Sequence, residues 1–128
     1  MLPVDQASGE SLVRDQLAGR QVQENLLPNS GVQLGELRFD YRIFPSLVLS
    51  GDSIEYVELE DGRVLFYIAD VSGHGAAGAL VSVLLKGIAF GLLSDIEART
   101  LKNPAEVLEA FNQAIRSFDI DQHVTMFL

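Results

Sequence analysis

The 128-residue sequence predicts an α+β fold, and three observations predict it. Short strand-like runs cluster between about residues 37 and 69, two helical segments follow one another between about 77 and 118, and the final residues, VTMFL, return to strand composition. Strands gathered in one stretch and helices in the next are the order of an antiparallel sheet with helices segregated to one side.

The composition sets the bounds. A chain of this length supports one core, and 48% hydrophobic with 21% charged residues excludes intrinsic disorder. Eighteen acidic against nine basic residues give a formal charge of -9, a field that opposes nucleic acid and anionic membrane as partners. The absence of cysteine excludes a disulfide framework and a thiolate metal site. The opening residues MLPVDQASGE lack the basic start and apolar run of a signal peptide, so a cytoplasmic location is expected.

Residues 1–27 are expected to form a flexible lead (1–10) and a linker helix, and residues 28–128 a single domain. In the helix, Leu12, Val13, Leu17, Val22, Leu26 and Leu27 recur at roughly helical spacing, with Ser11 as candidate cap and Pro28 as stop. Polar elsewhere, it is either a linker from an upstream element or a helix lying on the domain surface. After the turn residues Pro28-Asn29-Ser30-Gly31, the alternation from Leu37 to Phe44 reads as a strand ended by Pro45, and Leu47 to Leu49 as a short apolar stretch before Ser50-Gly51-Asp52. Strands are expected at Ile54–Leu59 and Val64–Ala69 and helices at Ala77–Leu93 and Pro104–Phe118, the second opened by Asn103 as cap.

The apolar stretch Ala76 to Leu93 just reaches the length of a membrane span, about 18 residues. Lys86 near its middle, with Gly78, Gly87 and Gly91, favours a core helix. That helix is expected to be buried on most of its surface, against a hairpin face carrying Ile54, Tyr56, Val64, Phe66 and Ile68. Val124 to Leu128 reads as a strand in progress, so the domain is expected to continue past Leu128 and the chain to self-associate through uncovered apolar surface.

The two central strands form a hairpin by turn chemistry. A three-residue loop, Glu60-Asp61-Gly62, with Gly62 in the left-handed position, pairs Leu59 with Arg63, and counting outward places Ile54 opposite Ile68 and Asp52 opposite Asp70. A two-residue loop, Asp61-Gly62, shifts the register by one and separates the acids to opposite faces. In the first register two carboxylates stand about 5 Å apart between Cβ atoms. Such a pair needs a shared proton or a cation, for which a hard divalent ion is the common solution. Gly51, Ser72, Gly73 and Gly75 are small enough to leave room for the ion's waters and a phosphorylated substrate. The alternative is that both acids are ordinary turn residues capping local backbone donors.

Four stretches taken together, RQVQENLLP (Arg20 to Pro28), SGD (Ser50 to Asp52), DVSGHG (Asp70 to Gly75) before an Ala-rich helix, and VTMF (Val124 to Phe127), resemble the bacterial PPM-type, protein phosphatase 2C-like serine/threonine phosphatases. The SpoIIE-like branch, often the output domain of response regulators in two-component systems, is the most similar. The resemblance implies an αββα sandwich of which this chain supplies about the N-terminal half. It implies two Mn²⁺ or Mg²⁺ ions in the complete domain, held here by Asp52, Asp70 and the backbone carbonyl of Val71, and hydrolysis by metal-activated water without a side-chain nucleophile. His74 then shapes the loop or contacts phosphate. The implied substrate is phosphoserine on a regulatory protein such as an anti-sigma-factor antagonist, with an upstream receiver domain as a further partner.

The sequence departs from the family pattern at Ser50, where Gly is usual, and at Ser53, where an aromatic is usual; Glu55 stands for the acid often found a few residues on. The family's remaining metal acids lie in an Asp-Gly motif and a later Asp, so this chain is expected to carry half the metal site and to be inactive alone. The rival reading is a catalytically inactive phosphatase-like adaptor or interaction module in sigma-factor or stress signalling.

Other candidates are weaker. Ser72 and His74 lack a third orienting acid and the G-x-S-x-G elbow. GHGAAG lacks the nucleotide-loop pattern, and Lys86 lies too far along the helix to serve one. Glu55, Glu58, Glu60 and Asp61 read as the solvated edge of the hairpin, and His123 as an edge residue.

Overall fold

The structure, a computed structural model, describes residues 4–44, 49–73 and 75–128. Helix α1 runs Val4–Leu26, so residues 4–10 are helical rather than a flexible lead, and Ser11 lies inside the helix instead of capping it. Ala7 and Glu10 are good helix formers that carry the pattern through Gly9.

Strands β1 (Val32–Leu34) and β2 (Leu37–Phe39) form a small antiparallel hairpin. Gly35, at φ +61°, opens its two-residue loop, the Gly-X pattern that suits such turns. β1 is too short to show an alternation, and the strand expected from Leu37 to Phe44 ends at Phe39. Pro45 and most of the Leu47–Leu49 stretch lie outside the described residues.

The main sheet has the order β3-β4-β5, with β3 at Asp52–Glu58, β4 at Val64–Val71 and β5 at Val124–Phe127, all antiparallel. The β3-β4 loop is the three-residue form: Gly62 sits at φ +85°, its N–H donates to the Leu59 carbonyl at 3.0 Å, and the Leu59 N–H donates to the Arg63 carbonyl at 2.7 Å. Ile54 therefore faces Ile68, and Asp52 faces Asp70.

Helices α2 (Ala76–Glu97) and α3 (Pro104–Ser117) cover one face of this sheet. Asn103 caps α3 by accepting the Glu106 N–H at 2.9 Å, and the Glu106 carboxylate accepts the Lys102 N–H in return. The core joins Leu59, Tyr67, Ala69 and Val71 of the hairpin to Val81, Leu85 and Ala89 of α2 and Val107 and Phe111 of α3. Tyr67 meets Phe111 edge to face at 5.7 Å.

This is the opposite face from the one expected to receive α2. Ile54, Tyr56, Phe66 and Ile68 lie on the other face, while the face under the helices holds Tyr67, Ala69 and Val71 together with the polar Ser53 and Glu55. Both are satisfied there: the Ser53 hydroxyl lies 3.2 Å from the Tyr67 hydroxyl, and Lys86 of α2 donates to Glu55 at 2.8 Å and to the Ile54 carbonyl. α2 is long and apolar enough to cross a membrane, yet it packs along the sheet with its lysine paired. It is also less covered than expected, with Leu80 70% and Phe90 73% exposed.

Among the described residues, aromatic cover on the outer face gathers at one end. Phe39 of β2 stacks on Tyr56 at 4.5 Å and tilts against Phe66 at 5.5 Å, whereas at the other end Ile68 and Phe127 are exposed beside Asp52 and Asp70.

Candidate metal centre

Asp52 opens β3 and Asp70 lies one residue before the end of β4; the register sets them directly across from each other, with Thr125 of β5 opposite Asp70 on its other side. Both acids are exposed on the uncovered face. Partial burial, then the negative charge of Asp70 and a hydrogen bond between the two carboxyls, raise the Asp52 carboxyl above its ordinary value. The like-charge part of that shift is a repulsion that a bound cation relieves.

The turn leading into Asp52 is gripped from three sides. The Val71 N–H donates to the Gly51 carbonyl at 3.1 Å, and a Cβ on residue 51 would come within 3.1 Å of the Val71 carbonyl oxygen. Glycine is what lets this turn run against the end of β4. The Ser50 hydroxyl accepts the Asp52 N–H at 3.1 Å. From α1, the Gln23 carboxamide accepts the Ser50 N–H at 3.0 Å and donates to the Ser50 carbonyl at 2.7 Å and to the Ser82 hydroxyl of α2 at 3.1 Å. Gln23 lies inside RQVQENLLP, but that motif alone assigns the glutamine no role.

The loop after β4 is built from the other expected residues. The Ser72 N–H donates to the His123 carbonyl at 2.7 Å and the Ser72 hydroxyl accepts the His123 N–H at 2.8 Å, so Ser72 ties the loop to the lead into β5. Gly73 and Gly75 take φ +82° and +76°, conformations that strain other residues, and Gly75 precedes the first turn of α2. His74 lies outside the described residues.

Glu55 does not join the acids. Three residues from Asp52 is an odd step along a strand, so its carboxylate points to the covered face and pairs with Lys86. Burial lowers the Lys86 ammonium from its ordinary value, and the Glu55 contact opposes that shift. The rest of the acidic run, Glu58, Glu60 and Asp61, is exposed at the hairpin edge, where Asp61 bridges Arg63 and Arg99.

Among the described residues, no cluster of three or more His, Cys, Asp or Glu is placed to hold a metal. The donor set is two opposed carboxylates beside glycines that leave the face open, which fits a hard divalent ion with most of its shell left to water.

This fold is that of a PP2C-type phosphatase domain. The chain resembles the SiaA-PP2C domain of Pseudomonas aeruginosa with a TM-score of 0.74 and 25% identity, over 94% of this chain and 48% of that one. It thus spans about half the length of that domain. No curated protein sequence matches it. Residues 60–128 match the family of Stage II sporulation protein E (SpoIIE), and the chain belongs to that family, as the N-terminal part of a SpoIIE-like PPM phosphatase domain.

Proposed function

We propose that the complete domain is a metal-dependent protein serine/threonine phosphatase acting on phosphoserine of a regulatory protein such as an anti-sigma-factor antagonist, as the output domain of a response regulator in the cytoplasm. The observation that carries this reading is the direct opposition of Asp52 and Asp70 at the uncovered end of the sheet. In this reading the two carboxylates and the Val71 carbonyl would hold Mn²⁺ or Mg²⁺, which when bound would supply a water of lowered pKa and positive charge for the phosphoryl oxygens. Asp52 and Asp70 fix where that charge sits, and Gly51 holds the turn close to β4 without a side chain in the way. The face around the acids is open, which suits a phosphoserine presented on a protein loop.

Calorimetric titration of this chain with Mn²⁺ is expected to show weak binding, because two carboxylates and a carbonyl leave most of a six-coordinate shell to water. Binding is lost in Asp52→Asn and in Asp70→Asn. Tight binding that survives both substitutions overturns the site. Phosphoserine release by the complete domain, abolished by the same substitutions, tests the reaction. A complete domain that binds its partner yet releases no phosphate is instead an adaptor.

A further inference from the structure

We infer that Gln23 is a positioning residue for Asp52, acting through the backbone of Ser50. The inference rests on the metal reading of the acid pair for its consequence, though not for its first test. A primary carboxamide carries a donor and an acceptor side by side, so it can satisfy both the N–H and the carbonyl of one residue, as a neighbouring strand would. Gln23 does this to Ser50 across 27 positions of sequence, at 3.0 and 2.7 Å, two residues before Asp52.

The contact continues in both directions. On one side, the same carboxamide nitrogen donates to Ser82 of α2, whose hydroxyl lies 3.3 Å from the Ser50 carbonyl, so α1, α2 and the lead into β3 meet at one residue. On the other side, the Ser50 hydroxyl accepts the Asp52 N–H and the Gly51 carbonyl accepts the Val71 N–H. The two ends of the acid pair are therefore held differently. Asp70 sits inside β4, paired to β3 and β5. Asp52 is the first residue of its strand, paired on one side to Asp70 of β4 and preceded directly by the turn that Gln23 holds.

The remainder of α1 does not duplicate this role. Its side chains Leu12, Val13, Leu17 and Val22 are all more than half exposed, at 59%, 52%, 51% and 54%. Among the described residues, its other side-chain hydrogen bonds, Arg20 to Glu24 and Gln21 to Asn25, stay within the helix. Packing alone gives Gln23 little reason to be a glutamine; the Ser50 backbone does.

The test uses Gln23→Met, which keeps the length of the side chain and removes both hydrogen-bonding groups, with Ser82→Ala as the variant that leaves the Gln23–Ser50 bonds in place. Amide hydrogen exchange is read at Ser50 and Asp52, with Tyr67 and Leu85 reporting the core, and Mn²⁺ affinity is measured on the same samples. In Gln23→Met, exchange at Ser50 and Asp52 is expected to quicken about tenfold, the scale of one or two lost hydrogen bonds, with the core amides unchanged. Mn²⁺ affinity falls by a similar factor, while Ser82→Ala changes either quantity less than threefold.

Unchanged exchange at Ser50 and Asp52 overturns the inference whether or not metal binds. Lost protection at Tyr67 and Leu85 also overturns it, since Gln23 then only supports the fold. Faster exchange with wild-type Mn²⁺ affinity overturns it too, since the turn is then held without bearing on the acids. A wild-type chain that binds no Mn²⁺ defeats the metal reading instead, and exchange at Ser50 and Asp52 still decides the role of Gln23.

Discussion

The two faces of the β3-β4-β5 sheet share one backbone and meet opposite fates. On the inner face Tyr67 and Val71 are each 1% exposed, while on the outer face Ile68 is 56% and Phe127 65% exposed. Yet the inner face carries Ser53, Glu55 and the incoming Lys86, and the outer face carries aromatic and branched residues in a row. Side-chain polarity did not choose the inside. Each inner polar group meets a partner delivered by another element, and among the described residues the outer apolar groups meet covering rings where Phe39 and Tyr41 reach Tyr56.

The largest expected difference between the faces is in core truncation. Tyr67→Ala removes the ring that packs against Phe111 and is expected to cost about 3–5 kcal/mol, whereas Ile68→Ala, its neighbour on the other face, costs less than about 1 kcal/mol. Urea unfolding of both measures this, and equal losses would break the comparison. Next in size, Lys86→Met leaves the Glu55 carboxylate facing the helix layer alone. Removing one member of a fully buried pair costs several kcal/mol, and because the Glu55 side chain is 21% exposed the expected loss here is about 2 kcal/mol. Adding Glu55→Gln should recover part of it; a double variant no better than the single would show that the pair does not couple.

Smaller effects are expected at the acid pair. Gly51→Ala places a methyl 3.1 Å from the Val71 carbonyl oxygen and should cost about 1 kcal/mol in a thermal melt, together with weaker Mn²⁺ binding. Smallest is Asp52→Asn, with a gain rather than a loss. The raised Asp52 carboxyl means that the folded chain takes up this proton more readily than the unfolded one. Its contribution is thus present below the ordinary value of 3.8 and lost as pH rises through the raised value. At neutral pH without metal, the charged pair opposes folding, and Asp52→Asn is expected to stabilise by about 0.2–1 kcal/mol, the scale of a cross-strand pair open to solvent. Thermal melts at neutral and strongly acidic pH check this, since the gain should vanish in acid. A variant less stable than wild type at neutral pH would show that Asp52 is held by favourable contacts instead.

Much of the fold was legible from short-range signals. Asn103 and Pro104 marked the start of α3, the apolar run marked α2, and the Glu60-Asp61-Gly62 loop marked the hairpin. β2 fell within the expected Leu37–Phe44 strand, but its partner β1 was missed because three residues are too few to display a period of two, and the first turns of α1 because Gly9 and Pro3 read as a flexible lead. Of the site, the opposition of Asp52 and Asp70 was legible as one of two registers, while the pairing of Glu55, read as part of the hairpin's solvated edge, with Lys86 was not.

By itself, then, the sequence determined that a hairpin turns at Asp61-Gly62 and narrowed its register to two, one of which sets two carboxylates face to face; the structure, with Gly62 at φ +85°, takes that one. Only the tertiary structure decided which face of that hairpin lies inside, where Glu55 goes and what holds the turn before Asp52. Those outcomes rest on Lys86 reaching Glu55 across 31 positions and Gln23 reaching Ser50 across 27 and Ser82 across 59. No local periodicity encodes such pairings, because a polar side chain is compatible with burial only once a distant element has brought its partner.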